Sequence, residues 1–346
     1  MKKAIVTGGA GFTGSHIAEL LLGEGYEVIA VDNLSNGQWD NVTIFKNNPR
    51  YTFLKIELSK EFDDSFFRDA DYVFHLAALA DIVPSMENPL KYHEANVTAT
   101  ALVLEASRKY GIKKLVYSAS NSCYGIPDRY PTSETAEIRP EYPYAFLKYI
   151  AEQYVMFWGK LYQLPVISLR YFNVYGTRAR NNSTYGAVFK VFLAQKLHGK
   201  PLTIVGDGTQ TRDFTYVTDI ARANLMAAES EVQGETINIG TGKPQSINHL
   251  AKLIGGSTVH VPKRPGEPDS THADITKAKA LLGWEPTVSF EDGVKVMLDN
   301  IGYWKTAPVW DEQLIEQATA AWFKYLTKVD VKENVGLDVQ QKMEHK

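Results

Sequence analysis

With one cysteine, Cys123, in 346 residues, the chain has no intrachain disulfide framework and no cysteine-based zinc site. That usage fits a reducing compartment, and a cytoplasmic protein is expected. Long apolar runs are missing too: no segment reaches the roughly 18 uninterrupted apolar residues that a membrane span needs. The opening Met1-Lys2-Lys3 and the short apolar run after it resemble a leader, but the run stops at Thr7-Gly8-Gly9, too short for a signal core. An excess of either charge is also absent. Lys and Arg number 37 against 40 Asp and Glu, a formal charge of −3, so no broad basic field offers itself to nucleic acid or a membrane surface. Local basic residues remain available for a phosphorylated small molecule. The histidines His75, His93 and His198 are scattered and read as structural, so no metal is expected. There is no internal repeat and no low-complexity stretch.

Present instead is an alternation of elements. Strand-like segments at Ala4–Thr7, Tyr26–Asp32, Tyr51–Leu58, Asp71–Leu76, Leu115–Ser120 and Val166–Tyr171 are separated by helical patterns, clearest at Ser15–Gly23, Lys91–Lys109 and Tyr144–Leu161. This predicts an α/β fold, a Rossmann-type doubly wound parallel sheet with helices on both faces. After about Gly176, turns multiply and elements shorten: strands at Leu202–Val205 and Thr236–Ile239, helices at Val188–Leu197 and Ile247–Leu253. We read a smaller C-terminal α/β lobe there. Residues 1–175 with about 213–240 would form the first domain, and about 176–212 with 241–330 the lobe. Phe214–Val217 and Thr236–Ile239 are expected to return to the main sheet. Residues 331–346, polar and without periodicity, read as a frayed tail.

Gly8-Gly9-Ala10-Gly11-Phe12-Thr13-Gly14 follows a buried strand and opens a helix, the context of a dinucleotide-binding turn. Glycine serves there because the turn needs positive φ and because side chains would keep the backbone from a pyrophosphate. The following helix start offers free N–H groups and a positive dipole end. An ordinary strand-to-helix turn would look similar. The next strand, however, ends at Asp32, 18 residues after Gly14, near the spacing of a carboxylate that bonds the adenosine ribose. A carboxylate repels a 2′-phosphate, and neither Asn33 nor Ser35 is basic, so NAD is expected over NADP. Asp32 as a mere turn cap stays open.

Tyr144-Ala145-Phe146-Leu147-Lys148 puts a tyrosine and a lysine on one helix face. Free tyrosine titrates near pH ~10, too high for a base at neutrality; a neighbouring ammonium and a positive nicotinamide would favour the phenolate. Ser118-Ala119-Ser120 ends a strand upstream. The Tyr-Lys spacing alone is common by chance; with the strand-end serine and the glycine turn, chance explains it poorly.

These residues resemble the extended short-chain dehydrogenase/reductases, and within them the nucleotide-sugar 4-epimerases and 4,6-dehydratases. The resemblance runs from Ala4 to about Pro286. Besides the turn and Tyr144/Lys148 it includes His75-Leu76-Ala77-Ala78, Ser120 before Tyr124-Gly125, and Arg170-Tyr171-Phe172-Asn173-Val174-Tyr175-Gly176. Gly206-Asp207-Gly208 with Thr211-Arg212-Asp213-Phe214 and Arg264-Pro265-Gly266-Glu267 complete it. It implies tightly bound NAD held by Gly8, Gly11, Phe12, Thr13 and Gly14, by Asp32, Asn33 and Ser35, and by Glu57 and Leu58 near the adenine. Leu76, Ala77, Ala78, Ser118, Tyr171 and Val174 would complete the cofactor site. By the same resemblance Tyr144 is the base, Lys148 holds the nicotinamide ribose and lowers the tyrosine, and Ser120 bonds the sugar hydroxyl being oxidised. A nucleotide-diphosphate sugar would be held by Asn173, Val205, Arg212, Arg264, Glu267 and Thr271. Two guanidinium groups suit a diphosphate, and Glu267 can accept from a ribose. Each of these read singly is an ordinary surface residue. Tyr185 is a weaker candidate for the sugar pocket, and Tyr175 and Arg178 are expected to support the loop.

The reaction expected is inversion at C4 of a UDP-glucose or UDP-N-acetylglucosamine type of substrate, through a transient 4-keto sugar, in carbohydrate metabolism and polysaccharide biosynthesis. The dehydratases of the family carry a Thr-Asp-Glu run where this chain has Ser120-Asn121-Ser122, which lacks the acid and base needed to remove water. Alternatives are a C4 dehydrogenase or 4,6-dehydratase of the same family and, remotely, a non-catalytic NAD-binding regulator. Two departures stand out: Glu57 where an aspartate is usual, and Pro84 where related epimerases often carry an arginine. The small Thr271 suggests room for an acetamido group at sugar C2. Relatives pair helices equivalent to Lys91–Lys109 and Tyr144–Leu161 into a four-helix interface, so a homodimer is expected; two helices simply packed on the sheet fit the pattern as well.

Overall fold

The computed structural model describes residues 1–181 and 187–327; Tyr185 and the expected tail at 331–346 lie outside them. β1 (Lys3–Thr7), α1 (Phe12–Gly23), β2 (Glu27–Asp32), α2 (Trp39–Thr43), β3 (Tyr51–Lys55) and β4 (Tyr72–His75) open the chain. They are followed by α3 (Ile82–Glu87), α4 (Pro89–His93), α5 (Ala99–Lys109), β5 (Lys114–Ser120), α6 (Pro143–Tyr162) and β6 (Val166–Tyr171). Shorter elements come next: β7 (Val174–Tyr175), α7 (Val188–Leu197), β8 (Leu202–Val205), β9 (Thr211–Arg212), β10 (Thr215–Tyr216), α8 (Val217–Glu229) and β11 (Glu235–Ile239). The last are β12 (Gln245–Ser246), α9 (Ile247–Ile254), β13 (Thr258–Val261), α10 (Thr276–Leu282), α11 (Phe290–Asp299) and α12 (Glu312–Leu326).

Seven strands form one sheet in the order β3-β2-β1-β4-β5-β6-β11, every neighbouring pair parallel. The strands read as continuous apolar runs because both faces are covered. On one face α1 and α8 bury Ile17, Leu21, Ala223 and Ala227 with Trp284; on the other α5 and α6 bury Val103, Leu104, Ala151 and Val155. Truncating Leu104, fully buried in this layer, to alanine would cost about 2–5 kcal/mol. The strand order reverses between β1 and β4, so the loops after these two strands part and leave a crevice at the carboxyl edge. That crevice is where the site lies.

Two expectations need correction. Glu235–Ile239 joins the main sheet beside β6, but β10 does not: Thr215–Tyr216 pairs only with Val174–Tyr175. Phe214 and Tyr216 instead join a second core, in which Tyr175 stacks on Phe189 at 4.4 Å and Phe214 on Phe290 at 5.3 Å. The single helix expected over Lys91–Lys109 is also interrupted, with a π-type turn at Glu94–Thr98 between α4 and α5. The cause is Asn96, whose buried amide accepts from the Leu79 N–H at 2.8 Å and donates to the Leu79 carbonyl at 3.0 Å. A widened turn lets that side chain point inward while the helix continues.

Candidate active site

The glycine turn is shaped by what it excludes. Gly8 sits at φ +69°, and a Cβ there would come within 2.9 Å of the Ala77 nitrogen; one on Gly14 would collide with the Gly8 carbonyl oxygen. The Gly8 carbonyl accepts from Gly11 N–H at 2.9 Å, which folds the turn tightly under the start of α1. Gly11 caps α1 without a side chain, so the first N–H groups of that helix face the crevice with no side-chain acceptor. At the end of β2, Asp32 is 8% exposed. It accepts from Ala10 N–H at 3.1 Å and Leu34 N–H at 2.8 Å. Burial raises its pKa, and those two bonds oppose the rise. Asp32 therefore does brace the turn, and it lines the cavity as well. Asn33 donates to Glu57 at 2.7 Å, and Glu57 accepts from Ser59, so the glutamate at the usual aspartate position is held in place. Across the crevice, Thr7 Oγ1 accepts from the N–H groups of Leu76 and Ala77 at 3.1 and 3.2 Å. A cradle without room for side chains, an uncapped helix start and a carboxylate at the second strand end fit a dinucleotide such as NAD.

β5 and α6 bring the reacting residues together. Ser120 ends β5, and its hydroxyl accepts from Ser122 N–H at 3.2 Å and from the Ser122 hydroxyl at 2.9 Å. Tyr144, one residue inside α6, is anchored at its N–H by Ser85 of α3 at 3.1 Å. Burial pushes the Tyr144 phenol above its ordinary value, a hydrogen bond with Ser120 pulls it back, and Asp81 and Cys123 push it up. Lys148 is buried, its pKa pulled down to about 7 by that burial with Glu152 opposing. Its ammonium rests over the Tyr117 ring at 4.3 Å. In the protein's own field the Tyr144 phenol is set by burial, Ser120, Asp81 and Cys123 rather than by the lysine that the i, i+4 spacing suggested. Beneath them Glu152 is locked by Arg170, Nε donating at 2.9 Å and Nη2 at 2.5 Å. Ser118 bonds the Tyr171 hydroxyl at 2.8 Å, which in turn meets Asn224. Asn121 and Ser122 line the cavity but bring no carboxyl group. His75 lies between Thr7 at 2.7 Å and Thr100 at 2.9 Å, held neutral by burial, with a pKa near 3.

The opposite wall is made of long side chains. Arg212 donates to Glu267 at 2.8 Å, and Arg264 faces the other oxygen of the same carboxylate at 3.6 Å. Thr271 donates to Asn173 Oδ1 at 2.6 Å and accepts from Asp213 N–H at 3.0 Å, so this residue supports the pocket wall besides shaping it. Val205 lines the same space. One continuous cavity of about 770 Å³ joins the glycine turn, Asp32, Tyr144, Lys148, Arg212 and Glu267, bringing the sequence candidates together. Tyr175 lies within the aromatic core, and Arg178 pairs with Glu19 on α1. Among the described residues no group of three His, Cys, Asp or Glu side chains is disposed to hold a metal, and no helix is long and apolar enough to cross a membrane.

Sequence reasoning missed several lining residues. Arg180 pairs with Asp81 at 2.6 Å and reaches Asn36. It thus brings a guanidinium to Asp81 at the start of α3, the helix in which Pro84 stands where related epimerases often carry an arginine. Lys190 on α7 is buried in the cavity wall, its pKa pulled down to about 8 by burial. Tyr142 caps α6 and lies parallel to Tyr144 at 6.4 Å, and Thr319 and Trp322 arrive from α12. None sits in a recognisable motif; the helical spacing of Ile315, Thr319 and Trp322 along α12 is a signal that the sequence reading did not use.

The sequence profile of the NAD dependent epimerase/dehydratase family matches residues 4–240. The chain belongs to that family. It is 39% identical over 300 residues to a putative UDP-glucose 4-epimerase of Methanocaldococcus jannaschii, covering 84% of this chain and 95% of that protein. A UDP-N-acetylglucosamine 4-epimerase from Methanobrevibacter ruminantium M1, solved with UDP-N-acetylmuramic acid, superposes with a TM-score of 0.81 at 35% identity, covering 86% of this chain and 99% of that one. A UDP-glucuronic acid 4-epimerase from Bacillus cereus, solved with UDP-glucuronic acid and NAD, gives 0.81 at 34% identity, covering 87% and 99%. The fold is the α/β fold of these NAD-dependent epimerases.

Proposed function

We propose that this chain is a UDP-sugar 4-epimerase that keeps NAD in its crevice throughout turnover. One observation carries the reading: Tyr144 with Ser120 and the pair Arg212/Arg264 about Glu267 open into one cavity that begins at the glycine turn. When bound, NAD supplies a reversible acceptor for the hydride of sugar C4. Ser120 holds the C4 oxygen, and Tyr144 takes its proton as the 4-keto sugar forms and returns one when the alcohol is restored. Lys148, on the same helix face, holds the nicotinamide ribose. Arg212 and Arg264 grip the diphosphate, each guanidinium able to donate paired bonds, and Glu267 accepts from the nucleotide's ribose. Held by its nucleotide and loosely at its sugar, the keto form is free to turn before Tyr144 returns the proton to the inverted alcohol.

In this reading residues 1–175 with about 213–240 serve the cofactor, while about 176–212 with 241–330 serve the UDP-sugar. Thr271, small at the sugar end, leaves room for a 2-acetamido group, so both plain and acetamido sugars are substrates. A homodimer forms through α5 and α6, the latter of which leaves Phe146, Phe157 and Leu161 exposed; light scattering of the purified protein reads the mass. The function is tested by incubating the protein with UDP-, GDP-, dTDP- and CDP-sugars and following products by NMR. Inversion at C4 of a UDP-sugar without added NAD is the expected result. Accumulation of a keto product, or preference for another nucleotide, would overturn it.

A further inference from the structure

Helix α12 lies outside the stretch 4–240 that the family profile covers, yet its inner face reaches the substrate end of the cavity. Ile315, Thr319 and Trp322 are buried while Leu314, Phe323 and Tyr325 face outward, and Thr319 and Trp322 line the cavity. Trp322 makes three contacts that matter. Its indole Nε1–H donates to the Pro265 carbonyl at 2.6 Å. The Arg264 guanidinium lies over its ring, 5.6 Å from the centroid. The ring also meets Tyr142 at 6.1 Å, and Tyr142 in turn lies parallel to Tyr144. One turn on, Leu326 faces Gly266 across 3.8 Å to the position a Cβ would take. The loop Arg264–Glu267 is therefore fastened at its middle, at its arginine and at its glycine by a single helix, which also packs on α3, the element that anchors Tyr144.

We infer that α12 is a wall of the nucleotide site and that Trp322 is a positioning residue for the diphosphate. The inference rests on reading Arg264 and Glu267 as diphosphate and ribose ligands. A guanidinium on a long stem loses rotamer freedom when it binds an anion. An aromatic face beneath it removes that freedom beforehand and holds the cation by its quadrupole, and covering the arm excludes water that would weaken its pull on the phosphates. Trp322 acts on substrate through Arg264, so losing it weakens nucleotide binding and leaves the proton transfer at Tyr144 largely intact.

The test uses the full-length enzyme with its bound NAD, UDP as the probe for calorimetry, and UDP-galactose for kinetics. Trp322→Ala is expected to weaken UDP binding about ten-fold and to raise KM in proportion, since one buried hydrogen bond and one cation contact are lost, while kcat changes by less than about three-fold. Trp322→Phe, which keeps a ring but not the N–H, falls between and carries the test if the alanine variant does not fold. Tyr325→Ala on the outer face of α12 leaves UDP affinity at the parent level. Arg264→Ala, run alongside, separates the two claims. If it binds UDP as the parent does, the ligand role of the loop fails and the inference with it. If Arg264→Ala loses affinity while both Trp322 variants keep parent affinity and KM, α12 is a structural appendage and the inference alone is overturned.

Discussion

The two ends of the cavity are made of different material. The cofactor end is main chain: turns after β1 and β4, the bare start of α1, and one carboxylate pinned by two backbone N–H groups. The substrate end is side chain: Arg212 reaches from β9 and Arg264 and Glu267 from one loop, and the three meet only at their tips. Backbone at strand ends is positioned by the whole sheet and tolerates almost no substitution. Side-chain tips can be exchanged one at a time, so a common hydride chemistry can be retained while the substrate changes. Activity should therefore break sharply and completely at the first end and by degrees at the second.

The junction of the two ends should give the largest effect. Tyr144→Phe removes the proton acceptor and is expected to lower kcat by about 10²–10⁴-fold with NAD content and UDP affinity unchanged, read by steady-state kinetics and cofactor release on denaturation. A phenylalanine variant turning over normally would remove the basis of the mechanism. Next, Gly14→Ala should retain NAD on the order of ten-fold or more weakly, because the backbone must shift where the pyrophosphate lies. UDP affinity, set at the other end, should hold; equal loss of both would abolish the contrast drawn here. Arg212→Ala should weaken UDP about ten-fold, the scale of a hydrogen bond to a charged group, with NAD retained. A subtler effect concerns pH. The base works as phenolate, so turnover rises with pH through the Tyr144 pKa. Ser120 lowers that pKa, and Ser120→Ala should move the acid limb of kcat to higher pH, the reverse shift counting against a bond to the phenolate. Smallest and most selective, Thr271→Tyr should lose UDP-N-acetylglucosamine more than UDP-glucose. Thr271→Val, which keeps the size but drops the bonds to Asn173 and Asp213, should affect the two sugars alike. Parallel losses in the tyrosine variant would end the size argument.

The same contrast decides what could be read before the structure. The glycine turn, Asp32, Ser120 and Tyr144/Lys148 were legible because a strand end or a helix turn ties each role to local spacing. Arg212, Arg264 and Glu267 were located only through family resemblance, since Arg212 meets the 264–267 loop from more than fifty residues away in sequence. Asn96 escaped notice because an inward amide inside a helical pattern breaks no periodicity; its widened turn follows from a partner, Leu79, that only the fold supplies. β10 was misplaced for a similar reason: an apolar strand suits either core, and the aromatic cluster around Tyr175 claimed it. The balance of burial and charge at Tyr144 was likewise beyond a reading of i, i+4 neighbours, because Asp81 enters from another loop.

Glu267 sits between two guanidinium groups, so on the proposed reading the grip on the anion is half neutralised before any nucleotide arrives. Entry of a diphosphate is then an exchange of partners, the carboxylate yielding its arginines and turning to the ribose, and departure is the same exchange reversed. Substrate and product present an identical handle to this exchange. Such a protein can hasten the traffic between two epimers, but where the mixture comes to rest belongs to the sugars.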